Sequence, residues 1–314
     1  MGPASITRPS TALVTPTVLD QAFAEPDEVL ELLDRGAPYK TLAAVHKQPP
    51  GMKVTPWFRN FWALGGKVLF PGAEEVFHNP IFINAAKEVF GAEVVSPLTM
   101  MTNLNAPSPA SPPHLDLPFF RGAHQREVPP WLLAPMGYSG LFHPWAIPVA
   151  SVITWFYRGE GGEFEFWADG VDQPSSVFGE LASNQALMAD NEYTYHRVGQ
   201  VGAVNDFLPD NQVPYSTTLG LDDDQWVMGD GANEIARYQR GEMRLSVLWK
   251  AFCFTDQAEA DAFNQGTDNL TPEQVIDIFQ DDLRRRGISV ERPEDFAGDD
   301  RWSQVILETY APQA

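Results

Sequence analysis

Three side chains with metal-binding atoms stand at spacings that let them meet: His114 and Asp116, two residues apart, and His196 far downstream. Residues two apart in a strand project to the same side, so His114 and Asp116 converge on a point that a distant strand can reach with His196. Two imidazoles and one carboxylate suit ferrous iron. A facial set of three leaves octahedral positions open for a chelating cosubstrate and for dioxygen, the vacancy that oxygen chemistry requires. A His-x-Asp alone is commonly a surface pair, but the context here is specific. Ser111-Pro112-Pro113 fixes a turn at the mouth of the first strand, and His196 sits in Tyr193-Thr194-Tyr195-His196-Arg197-Val198, a β-prone run.

A further element is Arg244-Leu245-Ser246-Val247-Leu248-Trp249. Alternation puts Arg244 and Ser246 on one face and Leu245, Val247 and Trp249 on the other. A guanidinium fork binds a carboxylate through two hydrogen bonds, and a neighbouring hydroxyl adds a third. Without such a ligand, the same pattern describes a strand with one solvated face.

His-x-Asp, a distal His opening His196-Arg197-Val198, and a following Arg-x-Ser occur here in that order. They resemble the Fe(II)- and 2-oxoglutarate-dependent dioxygenases over roughly residues 94–254. The resemblance implies a mainly β fold, a double-stranded β-helix of the jelly-roll, cupin-like kind. It also implies that His114, Asp116 and His196 ligate Fe(II), while Arg244 and Ser246 bind the distal carboxylate of 2-oxoglutarate. One departure stands out. Arg244 comes 48 residues after His196, much further than in the family, so residues 202–243 must loop out and return; Arg197 is the substitute anchor. The implied reaction consumes O2 and 2-oxoglutarate, releases succinate and CO2, and hydroxylates a substrate C–H bond, with desaturation, ring closure and epimerisation as diversions. The carboxylate at Asp116 speaks against the halogenating branch, where a small residue leaves room for chloride.

The elements that must position these residues fall into three blocks of one elaborated domain. Residues 1–92 read as a helical shoulder. Glu25-Pro26-Asp27-Glu28 opens a helix whose face is Val29, Leu30, Leu32 and Leu33, and Asn79-Pro80 caps another that closes on Gly91. Residues 93–254 form the β core, with strands expected at 94–105, 149–157, 163–167, 185–190, 196–201 and 244–254. Within it, residues 117–147, rich in Pro, Gly and aromatics, read as a lid or pocket wall, and 202–243 as an irregular excursion. Residues 255–314 return to helix. Thr255 can cap one, and Thr271-Pro272-Glu273-Gln274 carries a capping box for the next. These flanking C-terminal α-helices offer a packing surface or a homodimer contact.

Composition narrows the partners. With 42 acidic against 21 basic residues the formal net charge is -21, which repels a phosphate backbone and argues against nucleic acid. Cys253 is the only cysteine, so no internal disulfide forms; a buried thiol and a reducing, cytoplasmic setting are expected. No apolar run is long enough to span a membrane, and no leader pattern is visible.

Phe119, Phe120, Trp131, Tyr138, Phe142, Trp145, Trp155 and Phe156 crowd the sequence around the first two ligands. They suit either a core or a cleft for an apolar or aromatic small molecule. Phe119, Phe120, Trp145 and Trp155 are the aromatic substrate candidates. Arg121, His124, Arg126 and His143 are candidates for a substrate carboxylate or carbonyl, and Asn103 and Thr154 for hydrogen bonds to cosubstrate or substrate. Asp222-Asp223-Asp224 lacks EF-hand spacing and reads as a solvated turn. The favoured function is a small-molecule hydroxylase of secondary metabolism (natural-product biosynthesis) or of catabolism. The alternatives are a protein side-chain hydroxylase and a cupin-like metalloenzyme independent of 2-oxoglutarate, although the latter usually brings more histidines to the metal.

Overall fold

The computed structural model describes residues 13–123, 128–296 and 300–310. Its N-terminal part holds β1 (Thr17–Leu19), α1 (Pro26–Arg35), β2 (Tyr39–Thr41), the single turn α2 (Leu42–Val45), β3 (Lys53–Val54), β4 (Trp57–Leu64), β5 (Lys67–Val68), α3 (Glu74–Phe77) and α4 (Pro80–Phe90). The middle comprises β6 (Val94–Asn105), α5 (Pro130–Ser139), β7 (Val149–Trp155), β8 (Phe164–Trp167), β9 (Ser176–Phe178), β10 (Ala186–Ala189) and β11 (Tyr195–Val198). Then come β12 (Val213–Pro214), β13 (Thr218–Asp222), β14 (Gln225–Asp230), β15 (Asn233–Gln239) and β16 (Arg244–Phe254), followed by α6 (Gln257–Gln265), α7 (Pro272–Arg285) and α8 (Asp300–Tyr310).

The large sheet runs β1-β10-β7-β16-β6-β4-β2-β13-β14-β15, with β5 paired to β4, and a small sheet runs β11-β8-β9. The segment from Ser108 to Asp116 adds a fourth, broken strand to the small sheet. Ser108 exchanges backbone bonds with Val201 and His114 with His196, while Ser111 N donates to Val198 O and Asp116 N to Asn191 O. Pro112 and Pro113 lack the N–H that a continuous ladder needs, so pairing here is intermittent. The chain thus alternates between β6, β16, β7 and β10 on one side and the broken strand, β11, β8 and β9 on the other. That is a double-stranded β-helix. Ile153, Trp155, Phe164, Phe178, Leu187 and Val201 pack between the two sheets.

The six core strands expected from the sequence are all present, and β6 and β16 have the expected bounds. Two corrections concern the regions flanking them. The first block is not purely helical, because β1, β2 and β4 extend the large sheet. Residues 202–243 are not irregular: β13, β14 and β15 form a meander on the far edge of that sheet, with Asp223 at positive φ (51°) in the hairpin turn. Two of the three aspartates meet arginines, Asp222 with Arg237 and Asp224 with Arg240.

The helices form for the reasons their sequences give. Asn79 Oδ1 accepts from Ile81 N at 2.9 Å and Gly91 closes α4 in the left-handed region. Thr271 and Gln274 make the reciprocal capping box of α7. Asp256, rather than Thr255, caps α6. The shoulder helices pack on the outer face of the large sheet through Val29, Leu33, Phe77, Phe82 and Trp249. The stretch 117–147 also departs from expectation. It contains α5, and Phe120, Leu132, Leu133, Met136 and Phe142 join Phe279, Leu283, Trp302, Ile306 and Tyr310 of the C-terminal helices in a second core. Its described residues, 117–123 and 128–147, form a packed layer. No helix among the described residues is long and apolar enough to cross a membrane.

Candidate metal centre

The antiparallel bridge between His114 and His196 brings the two rings to 4.5 Å, centroid to centroid. Each imidazole is held by its own backbone. His114 Nδ1 lies 3.0 Å from Pro112 O and His196 Nδ1 2.9 Å from Thr194 O. A carbonyl can only accept, so Nδ1 is the protonated nitrogen in both rings and Nε2 is the one left to offer a lone pair to a metal. Asp116 Oδ1 lies 3.9 Å from His196 Nε2. One candidate ligand atom from each of the three residues lies within 4.8 Å of the other two. Two neutral nitrogens and a carboxylate oxygen, one flank exposed and one buried, fit a divalent metal with open positions.

The other Asp116 oxygen is taken by a residue that the motif does not include. Lys250 Nζ reaches Asp116 Oδ2 at 2.7 Å and Glu192 Oε1 at 2.5 Å. Burial alone would raise the Asp116 carboxyl, but Lys250, His196 and His114 hold it well below the usual carboxylate range. Burial raises Glu192 to about 7 despite Lys250. It lowers His196 to about 4, Asp116 opposing, so the ring stays neutral and available. Lys250 was legible in principle: it shares the parity of Arg244 and Ser246, and a lysine within a buried strand needs partners. Glu192, in the turn before β11, has no such signal.

Arg244 lies on the inner face of β16, as alternation requires, with its guanidinium 5.9 Å above the Trp155 ring and its Nε donating to Gly162 O at 2.5 Å. Burial pushes it down to about 10, with Tyr157 and Glu163 opposing, so it stays cationic at neutral pH. Among the described residues no acidic side chain forms an ion pair with it. Two further donors nearby are buried without acceptors: Nδ2 of Asn105, its cross-strand partner, and Nε1 of Trp155. Orphan buried donors cost about 1–3 kcal/mol each. Ser246 lies on the same face, in register with Asn103 and Trp155.

The remaining candidates scatter. Asn103 is on the inner face and accepts from Arg59 Nε at 2.7 Å. Thr154 is in register with Val247, whose side chain packs in the outer core, so it faces away from the metal cluster. Arg197 pairs with Glu165 at 2.6 Å, beside Trp167, which removes it as an alternative anchor. Phe120 lies in the second core and Trp145 packs against it. Phe119 meets Phe252 edge-on. Arg121 is ion-paired to Asp268 and donates to Pro144 O. His143 is exposed, edge-on to Tyr193. His124 and Arg126 lie outside the described residues. The aromatic run is thus mainly packing. The ring that does flank the cluster is Phe164, stacked on His196 at 5.4 Å, which the sequence reading did not single out.

No protein-family model matches the chain, and no curated protein matches it. Among solved structures it is similar to an oxidoreductase of the 2OG-Fe(II) oxygenase family from Burkholderia pseudomallei, at 14% identity over 76% of this chain and 84% of that one, TM-score 0.42. It is similar to a prolyl hydroxylase from Trichoplax adhaerens in complex with a hypoxia inducible factor peptide fragment, at 9% identity over 80% and 88%, TM-score 0.42. It is also similar to HygX from Streptomyces hygroscopicus with nickel, 2-oxoglutarate and hygromycin B bound, at 9% identity over 76% and 83%, TM-score 0.39. At such scores these are likenesses only, and the chain's own strand order makes it a double-stranded β-helix with a His-Asp-His cluster between its sheets.

Proposed function

We propose that this protein is an Fe(II)- and 2-oxoglutarate-dependent oxygenase that hydroxylates a C–H bond of a small molecule. The observation that carries the reading is the pair of backbone-oriented histidines with a carboxylate oxygen of Asp116 within 4.8 Å of a ring nitrogen of each. When bound, iron with 2-oxoglutarate and O2 supplies the oxidant and releases succinate and CO2. The chain's own residues do the rest. His114, Asp116 and His196 would hold the metal as a two-histidine, one-carboxylate set. Lys250 fixes the second oxygen of Asp116, so the carboxylate presents a single oxygen to the metal. Arg244, with Asn105, Trp155 and Ser246, receives the distal carboxylate in a dry setting where charge-assisted hydrogen bonds are strong.

The test is anaerobic titration of the Fe(II)-loaded protein with 2-oxoglutarate, watching for the weak visible charge-transfer band of bidentate chelation. The band is expected in the wild type and absent in Asp116→Ala. In Arg244→Ala it is expected only at much higher 2-oxoglutarate, a loss of about 2–5 kcal/mol for leaving a buried carboxylate unpaired. No band in folded, iron-replete protein would point to an oxoglutarate-independent metalloenzyme, and unchanged affinity in Arg244→Ala would remove that residue as the anchor.

A further inference from the structure

Arg59 and Lys40 face one another across β4 and β2, a pair of like charges directly opposite in the ladder. Such pairing is destabilising unless something of opposite charge compensates it. Among the described residues neither forms an ion pair with an acid, in a chain whose acidic residues outnumber its basic ones two to one.

The face they occupy is the inner one. The register Lys40↔Arg59↔Asn103↔Ser246↔Trp155 crosses five adjacent strands. Lys250, which touches Asp116, has the same parity on β16 as Ser246. The opposite face, with Tyr39, Phe58, Leu104 and Val247, is sealed in the outer core. Arg59 is therefore turned toward the side of the sheet that carries the metal cluster.

Its guanidinium is oriented by two neighbours. Nε donates to Asn103 Oδ1 at 2.7 Å, and Nη1 lies 3.0 Å from His46 Nε2. Arginine can only donate, so His46 Nε2 accepts and its ring is neutral. These two contacts fix the fork, and Nη2 is engaged by neither. Arg59 is half-buried, whereas His46 and Lys40 are exposed, so the group stands where the inner face opens to solvent. The negative charge of Asp116 lies near enough to favour the Arg59 cation against the cost of its burial.

We infer that Arg59, oriented by Asn103 and His46 and assisted by Lys40, is an anion subsite that docks a carboxylate of the molecule to be oxidised. The substrate class is then a small organic acid, held by its carboxylate at the rim while its carbon skeleton reaches toward the metal. The inference rests on the oxygenase reading above for the role of the bound acid, but not for the existence of the subsite.

The experiment uses the full-length protein loaded anaerobically with Fe(II) and saturating 2-oxoglutarate. It is titrated with 3-phenylpropanoate and, separately, with the uncharged 3-phenylpropanamide, following tryptophan fluorescence and the visible band. The acid is expected to bind at least about tenfold more tightly than the amide, as a charge-assisted pair requires. That preference should vanish in Arg59→Gln, shrink in Lys40→Gln and survive in Arg59→Lys, with 2-oxoglutarate affinity unchanged in all three. Equal or absent binding of acid and amide, or a preference that persists in Arg59→Gln, overturns the subsite. A loss of 2-oxoglutarate affinity in Arg59→Gln also overturns it, because Arg59 would then anchor the cosubstrate. Absence of the band in wild type defeats the oxygenase reading instead, and the fluorescence titration still reads the anion preference.

Discussion

Asp116 turns one oxygen toward His196 and gives the other to the Lys250 ammonium, which also pairs with Glu192. A cation between a buried and a half-buried carboxylate stabilises both. Removing one partner of such a group is costly, about 3–5 kcal/mol, because the other charges are left uncompensated. Lys250→Met is therefore expected to lower the unfolding free energy of the metal-free protein by about 3 kcal/mol, with part of the loss recovered when Fe(II) supplies the missing positive charge. Urea unfolding with and without Fe(II) checks this. A loss below about 1 kcal/mol would mean that Glu192, already raised to about 7, takes up a proton at little cost. At this scale the meeting of the three side chains was legible because strand alternation and β-prone context constrain His114, Asp116 and His196 almost without tertiary information. Thr154 was misplaced by one step of the same alternation: the candidate lay on the right strand but the wrong face. Arg59 and Asn105 went unread because their significance comes from cross-strand neighbours, which a single sequence does not name.

Among the elements, strands with strict alternation or long β-branched runs were readable, and those built otherwise were not. β4 is an aromatic-rich run followed by Gly65-Gly66 and Lys67-Val68, both glycines at positive φ. That is a hairpin signal, and its omission concealed the strand that carries Arg59. The meander β13–β15 was obscured by its Asp- and Gly-rich turns. The layer formed by 117–147 was misread because its apolar residues face helices more than a hundred positions away. Gly122 is a close approach within that contact. At φ 76°, a Cβ there would stand 2.5 Å from Leu270 O and 2.6 Å from Leu270 N, beside the bond from Leu270 N to Arg121 O. Gly122→Ala combines the left-handed backbone cost of about 1–2 kcal/mol with a clash against backbone that cannot yield. It should loosen the docking of α7 and α8 while leaving the β-helix intact. Hydrogen exchange should show protection falling in 272–285 and 300–310 but holding in β6 and β16; equal loss in both regions would contradict separate cores.

At the level of the whole molecule, a net charge of -21 makes stability sensitive to which carboxylates are forced to ionise in place. Asp190 is the clearest case outside the metal cluster. It is 1% exposed, in the turn joining β10 to β11, where Leu13 N at 2.6 Å and Thr194 Oγ1 at 2.8 Å donate to it. Burial raises its carboxyl to about 6, and those hydrogen bonds oppose the rise without cancelling it. A folded value above the unfolded 3.8 means that the native state holds this proton more tightly. Its contribution is therefore full below pH 3.8 and is lost as pH rises through about 6, a change of about 3 kcal/mol. Asp116 has the opposite sign, since its depressed carboxyl stabilises above the unfolded value and that stability is lost as pH falls. The two are separable by mutation. Asp190→Asn keeps an acceptor for Leu13, turns its amide nitrogen to the Thr194 hydroxyl, which can accept, and cannot ionise, so its stability relative to wild type should rise by about 3 kcal/mol between pH 4 and pH 7. The general repulsion of the acidic surface acts on both proteins alike and drops out of the difference. Parallel unfolding free energies across that range, measured on metal-free protein in urea, would show that Asp190 ionises in the fold as freely as in the unfolded chain. In either case the loss of stability in acid lies with carboxyls of the opposite sign, Asp116 foremost, whose ion pair with Lys250 is lost when it is protonated.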